Sequence, residues 1–222
     1  MDDLPHFKDD DFRLLFLDID DVLNSVKTSV VYGTYPFPST VIVSEGRDPR
    51  TGAATNSLTL LDSPPVRDVG AFDQANIKLI NKLCKVTDTH IVLSSSWRLG
   101  LDVDQVREML EYIGIDSSRV IGRTGQGSVG WNRGREIQEF LSGLEGDMSY
   151  LIDCGLVTPS LYGKSLKPKS YVIIDDCDDM LDEQKEANFV HVEDLEGLTL
   201  ANAVDAGKIL TDFAFSIYSL SK

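Results

Sequence analysis

The sequence predicts an α/β fold, a Rossmann-like and mostly parallel sheet with helices on both faces. Short apolar segments alternate with segments of helical spacing from residue 73 onwards. The segments 14–17 and 171–174 are apolar at nearly every position, as expected for parallel strands that are buried on both faces. A chain of 222 residues suits one domain, residues 1–222, and is long enough to bury a core.

The composition excludes several classes of function. A formal net charge of −15 argues against broad binding to a nucleic-acid backbone, which needs clustered Lys and Arg. It does not exclude a small anionic substrate, because a bound metal ion can reverse the local field. No apolar stretch reaches the length of a membrane span. The acidic start has no signal-peptide pattern, and the three cysteines lie far apart, so we expect free thiols and a cytoplasmic protein.

The segment that follows the first strand, residues 25–70, has no helical period and is rich in Val, Thr, Ser, Gly and Pro. Residues 28–32 and 40–43 are predicted as short strands, and residues 47–52 have the composition of a turn. The segment is too long for an ordinary loop, which favours a small β-rich cap or flap. A disordered insertion is the alternative.

The remaining elements follow from periodicity. Residue Thr199 is a plausible N-cap for the last helix. Residues 122–130 form a Gly-rich loop, and residues 142–170 are a possible second insertion over the same end of the sheet. Helices are predicted at 73–85, 102–113, 133–141 and 200–215, and strands at 90–93, 119–122, 171–174 and 189–192.

Polar residues follow three of the predicted strands. Asp18 and Asp20 come after the first strand, Ser94 after the second, and Asp175 with Asp176 after a later one. The carboxyl ends of parallel strands meet at one crevice, where open α/β sheets bind their ligands. Carboxylates gathered there repel one another, and a hard cation such as Mg²⁺, which prefers oxygen ligands, relieves that repulsion.

Four motifs resemble those of the haloacid dehalogenase (HAD) superfamily of phosphohydrolases, and closely those of a subgroup found in RNA-repair and phage proteins. They are the segments 18–24 (DIDDVLN), 94–98 (SSSWR), 133–137 (RGREI) and 173–176 (IIDD). The resemblance covers most of the chain and implies a HAD-like core. Asp21 departs from the pattern, because the family usually has Gly at this position in a turn where φ is often positive.

The resemblance also implies a role for each site residue. Asp18 would be the nucleophile and Asp20 the general acid and base. Ser94 would bind the phosphoryl group, and Arg133 would supply the third-motif cation, with Arg135 as the alternative. Ser95, Arg98 and Arg135 would bind the substrate. The expected Mg²⁺ ligands are Asp18, Asp20, Asp175 and Asp176, where Asp176 or Asp179 would assist through water.

The predicted function is that of a Mg²⁺-dependent phosphomonoester hydrolase with an aspartyl-phosphate intermediate. A nucleoside monophosphate is the favoured substrate. The terminal phosphate of a nucleic acid is an alternative that the acidity disfavours. Two other hypotheses remain open: a phospho-aspartate switch similar to a response-regulator receiver, and a HAD-fold interaction module without activity. Trp97 is interpreted as a packing residue, and the sequence does not indicate an oligomeric state.

Overall fold

The structure is a computed structural model that describes residues 12–32, 42–47, 54–59, 72–127, 132–146, 148–161, 166–212 and 215–221. The strands are β1 (Arg13–Leu17), β2 (Ile42–Arg47), β3 (Ala54–Thr59), β4 (Thr89–Leu93), β5 (Val120–Arg123), β6 (Ser170–Asp175) and β7 (Phe189–His191). The α-helices are α1 (Val26–Tyr32), α2 (Gln74–Thr87), α3 (Val103–Ile113), α4 (Arg133–Glu145), α5 (Ser149–Asp153), α6 (Asp182–Ala187) and α7 (Leu200–Leu210). Short 3₁₀ turns lie at Ser96–Arg98, Ser117–Arg119, Pro159–Leu161 and Ile217–Ser221.

The main sheet is parallel, with five strands in the order β5-β4-β1-β6-β7, and it confirms the predicted α/β class. Strand β1 lies in the middle because its apolar residues bury completely on both faces. Leu15 and Leu17 enter one hydrophobic cluster with α2, α3 and α7, whereas Leu14 and Phe16 enter a second cluster with α4 and α5. Successive side chains of a strand point to opposite faces, so one short segment anchors both halves of the core.

The register of the three central strands aligns their carboxyl ends. Leu17 of β1 is level with Leu93 of β4 and with Ile174 of β6. The backbone N–H of Asp18 continues this ladder by donating to the Ile174 carbonyl at 3.1 Å. The chain places β4 and β5 on one side of β1 and β6 and β7 on the other, so the topological switch point lies at this edge.

Most of the predicted elements are present, with shifted ends. The Thr199 side chain accepts from the backbone N–H of Asn202 at 3.2 Å, which confirms the predicted N-cap of α7. Helix α7 ends at Leu210 rather than at residue 215, and α4 continues to Glu145. Helix α6 was not predicted, because its six residues contribute only Gln184 to the buried set and have no apolar stripe.

The prediction of a strand at residues 28–32 is wrong, because these residues belong to α1. The Ser25 hydroxyl accepts from the backbone N–H of Thr28 at 3.2 Å and starts a helical turn that outweighs the β-branched composition. The predicted strand at 40–43 overlaps only the start of β2, which pairs with β3 as an antiparallel hairpin. Residues 48–52 of the predicted turn lie outside the described residues, and the cap over 25–70 stays a prediction.

The described part of residues 142–170 packs along the edge strand β5, and the possible second insertion there stays a prediction. Leu156 accepts from the Arg123 N–H at 2.8 Å, and Thr158 donates to the Ile121 carbonyl at 3.1 Å. Apolar residues of this segment complete the second hydrophobic cluster. The described part of this segment therefore contributes to the core. Within the described ranges, no helix has both the length and the apolarity that a membrane crossing requires.

Candidate active site

Three side chains from distant parts of the chain meet at the carboxyl edge of the sheet. Arg133, the first residue of α4, donates from Nη1 to Asp18 Oδ1 at 2.7 Å. The same nitrogen lies 3.2 Å from Asp175 Oδ2. Asp18 and Asp175 are buried, with side chains 5% and 0% exposed. One guanidinium thus bridges two buried carboxylates that neighbouring strands hold level with each other.

Burial controls the protonation of this carboxylate pair. Burial raises the pKa of Asp18 to about 6, against the opposing effect of Arg133. It also raises the pKa of Asp175 to about 7, and the charge of Asp18 adds to that rise. Burial disfavours the charged form of Arg133, but Asp175 and Asp18 outweigh it and raise the pKa of the guanidinium above its ordinary value. The guanidinium of Arg133 therefore stays charged, and its single positive charge is shared between the two carboxylates.

Ser94 lies at the same level of the sheet, directly after β4. Its backbone N–H donates to the Leu17 carbonyl at 3.0 Å, and its own carbonyl accepts from Arg133 and Arg98. The Ser94 hydroxyl is fully buried and makes no hydrogen bond to any described residue. A buried hydroxyl without a partner is costly, and a ligand that binds between Asp18 and Ser94 would relieve that cost.

The Asp20 carboxylate is held by two donors. Asn24 Nδ2 donates to its Oδ1 at 3.2 Å, and Trp97 Nε1 donates to its Oδ2 at 2.8 Å. Asn24 is in turn oriented by the backbone N–H of Asp21, which donates to Asn24 Oδ1 at 2.7 Å. Asp21 has a φ of 54°, in the left-handed region that the usual Gly adopts without strain. The unusual residue therefore keeps the turn geometry expected of the family.

The start of α4 places Arg133 rather than Arg135 at the carboxylates. The Arg133 backbone N–H donates to Asp179 Oδ2 at 3.0 Å, and Asn132 caps the helix through the N–H of Arg135. The Arg135 residue is exposed. A Cβ on Gly134 would come within 2.4 Å of the backbone nitrogen of Leu181, so only Gly allows this close approach.

Arg98 and Ser95, which were predicted to bind substrate, are turned inward. The five N–H groups of Arg98 have five acceptors in the protein, so none is left for a ligand. The Ser95 hydroxyl accepts from the Trp97 N–H at 3.4 Å and caps the 3₁₀ turn. The acceptors of Arg98 are the carbonyls of Ser94, Ser95, Thr124 and Gly125, together with Glu136 Oε2.

The loop after β6 offers a group of possible metal ligands. Single ligand atoms of Asp175, Asp176 and Cys177 lie within 4.8 Å of one another. Asp175 Oδ2 is buried and accepts no well-formed hydrogen bond from the described residues, although Arg133 is close. Burial raises the pKa of the Cys177 thiol to about 12, so the nearby ligands that are charged are carboxylate oxygens. A hard cation such as Mg²⁺ fits this donor set.

The fold is of the HAD type: a parallel sheet with an aspartate after its central strand, a serine after one flanking strand and an aspartate at the end of the other. The family model described as the HAD domain in Swiss Army Knife RNA repair proteins matches residues 14–203, and the chain belongs to this family. This match confirms the resemblance seen in the sequence motifs. No curated protein and no solved structure matches the chain significantly.

Sequence reasoning missed the partners of Asp20. Trp97 was interpreted as a packing residue, and its ring does pack edge-on against Phe72 with centroids 5.7 Å apart. The indole N–H was a signal, because a buried Trp usually finds an acceptor for this donor. Asn24 was a second signal, since it lies four residues after Asp20 within the first motif.

Proposed function

We propose that this protein is a Mg²⁺-dependent phosphomonoester hydrolase that acts through a phosphoryl intermediate on Asp18. The observation that carries the proposal is the level arrangement of Asp18, Ser94 and Asp175 with Arg133 bridging the two carboxylates. It supports a site for a tetrahedral anion, because a nucleophile, a cation and a hydroxyl that makes no hydrogen bond to the described residues lie at the same edge of the sheet. Family membership supports the same class of reaction.

In the proposed reaction, an Asp18 oxygen attacks phosphorus while the bond from phosphorus to the ester oxygen breaks. Asp20 gives its proton to that leaving oxygen. Water then attacks the phosphorus of the aspartyl-phosphate, Asp20 takes the proton from that water, and the bond to Asp18 breaks to release phosphate. Ser94 and Arg133 hold the phosphoryl oxygens as their charge develops.

Asp18, Asp175 and the backbone carbonyl of Asp20 would hold Mg²⁺, with Asp176 or Asp179 assisting through water. The bound cation would supply charge neutralisation for two anions, the nucleophile and the substrate phosphate. The need for it is electrostatic, because two buried carboxylates share one guanidinium here.

The proposed substrate is a phosphomonoester on a nucleoside, either a free nucleoside monophosphate or the end of a strand. The RNA-repair family supports a nucleotide-derived substrate. The net charge of −15 favours the free nucleotide over a long strand, since a polynucleotide would be repelled beyond its terminal phosphate. We expect the protein to work in a reducing compartment such as the cytoplasm, away from membranes, and its described cysteines are all free.

Phosphate release from nucleoside monophosphates, sugar phosphates and 3′-phosphorylated oligonucleotides tests the proposal. Wild-type protein with Mg²⁺ should release phosphate, and both EDTA and Asp18→Asn should abolish the release. Arg135→Ala, which changes an exposed arginine on the same helix, is the matched control and should stay within about twofold of wild type.

Two outcomes would replace the proposal with another hypothesis. A phosphorylated protein that persists for hours without turnover would favour the receiver-like switch. Full activity of Asp18→Asn, or no release from any substrate with Mg²⁺ present, would contradict the mechanism and favour an interaction module.

A further inference from the structure

We propose that Trp97 is a positioning residue for the general acid, aiming the Asp20 carboxylate through its indole N–H. This inference rests on the proposed function and adds a residue to its machinery. The indole Nε1 donates to Asp20 Oδ2 at 2.8 Å, across 77 positions of sequence. A buried Trp usually finds an acceptor for this N–H, and here the acceptor is the carboxylate of the proposed general acid.

The geometry restricts what the Asp20 carboxylate can do. Each carboxylate oxygen has two lone pairs, and here one pair on Oδ1 faces Asn24 and one pair on Oδ2 faces Trp97. The contacting atoms, Asn24 Nδ2 and Trp97 Nε1, can donate a hydrogen bond but cannot accept a proton. Neither group can therefore remove the proton that Asp20 must transfer. The proton to be transferred therefore sits on one of the remaining lone pairs of the Asp20 carboxylate. The two donors fix the plane of the carboxylate group, and this plane sets the direction of those lone pairs.

The donors themselves are rigid. Asn24 is 0% exposed and is oriented by the Asp21 N–H, while the Trp97 ring packs against Phe72 and against the hydrophobic cluster of α2 and α3. A general acid gains rate only when it is held within reach of the leaving oxygen. Trp97 therefore links the packing of the second motif against the core to the orientation of the Asp20 carboxylate in the first motif.

Trp97→Phe tests this role, because phenylalanine keeps an aromatic ring but removes the N–H. The readout is kcat/KM for two esters, a nucleoside monophosphate with a poor alkoxide leaving group and p-nitrophenyl phosphate with a good one. The alkoxide needs a proton in order to leave and the nitrophenolate does not. We expect kcat/KM to fall about ten- to a hundredfold for the nucleotide and less than about threefold for the nitrophenyl ester.

Phe72→Leu is the matched control, because it loosens the packing of the Trp97 ring and leaves the N–H in place. It should lower both rates by the same factor. Equal losses for the two esters in Trp97→Phe would overturn the proposal and return Trp97 to a packing role. A wild-type protein that hydrolyses neither ester would instead count against the proposed function.

A spectroscopic measurement tests the contact without turnover. The chain has two tryptophans, Trp97 and Trp131, so the indole cross-peak that remains in Trp131→Phe assigns Trp97 in an ¹H–¹⁵N spectrum. We expect Asp20→Asn to shift that peak upfield, because a charged acceptor is replaced by a neutral one. A peak that stays in place in Asp20→Asn would show that the indole does not donate to Asp20, and would overturn the proposal even if Trp97→Phe fails to fold.

Discussion

Arg98 and Arg133 are two largely buried arginines at the same edge of the sheet, and their surroundings are opposite. Arg98 donates to four backbone carbonyls and to Glu136, a set of contacts that we call the arginine clamp. Arg133 faces the carboxylates of Asp18 and Asp175 through a single nitrogen. The clamp uses every donor of its guanidinium, whereas a single nitrogen of Arg133 contacts two carboxylates and the Ser94 carbonyl.

The contrast separates an arginine that holds the fold from one that we propose takes part in the reaction. The clamp ties the loop after β4 to the loop after β5 and to α4, and Glu136 extends it by accepting from the Gly127 N–H at 2.9 Å. The clamp thereby holds the backbone of Ser94 in place through the hydrogen bond from Arg98 to the Ser94 carbonyl. Arg133 compensates charge where a phosphate would arrive, so its removal should affect rate far more than shape.

Substitution of Arg133 should give the largest effect. Arg133→Ala is expected to lower kcat/KM by about a thousandfold, because a preorganised cation near the phosphoryl oxygens is lost. The variant should also unfold at lower urea concentration, since two buried carboxylates lose their partner. Arg135→Ala is the control on the same helix, and a loss in it as large as in Arg133→Ala would contradict the assignment.

The stability lost in Arg133→Ala should depend on pH. The pKa values of Asp18 and Asp175 are already raised in the folded protein, to about 6 and about 7, so the folded state binds protons that the unfolded state does not. Stability contributed by their protonation is present at low pH and is lost as the pH rises through this range. Urea unfolding in EDTA should therefore show the variant recovering toward wild type between about pH 8 and about pH 5.

Substitution of Arg98 should affect stability more than rate. Arg98→Lys replaces five N–H donors with three and leaves buried carbonyls unpaired, which should cost about 2 to 4 kcal/mol of unfolding free energy. Activity per folded molecule should fall less than in Arg133→Ala. Arg119→Lys is the control, because that arginine pairs with exposed Asp88 and Asp116 and should cost about 1 kcal/mol or less. A thousandfold rate loss in stable Arg98→Lys would remove the distinction between the two arginines.

The smallest effect is expected at Asp21, which lies beside the carboxylates without touching Arg133. Asp21→Gly should raise the unfolding free energy by up to about 1 kcal/mol, because φ is 54° there and glycine adopts that value without strain. Activity should stay within about threefold of wild type. Asp212→Gly, with φ of 52° just after the end of α7, is the matched control and should stabilise equally. A large activity loss in Asp21→Gly alone would give that carboxylate a role in the site.

The strands and their polar ends could be predicted because each signal is local. A buried parallel strand is apolar throughout, and its register in a sheet then determines which following residues meet. The choice of Arg133 over Arg135 was also within reach. Arg133 lies four residues before inward-facing Ile137, on the same side of α4, whereas Arg135 lies about 200° around the helix from Arg133.

The arginine clamp and α1 could not be predicted in the same way. The contacts of Arg98 with Thr124, Gly125 and Glu136 span 26 to 38 positions, and no periodic pattern tells whether a guanidinium will find carbonyls after folding. In α1, the Val and Thr composition indicated a strand, and one Ser hydroxyl outweighed it. The local structure at these positions is determined by single polar contacts, and the pattern of apolar residues in the sequence gives no information about such contacts.

The shared register of β1, β4 and β6 makes the site sensitive to strand length. One residue added to or removed from β4 or β6 would move Ser94 or Asp175 by about 3.3 Å and turn its side chain to the opposite face. Substitutions at other positions could not restore the alignment of the site residues. Insertions and deletions among relatives should therefore fall in the connections between elements, while the distance from each strand start to its catalytic end should stay constant.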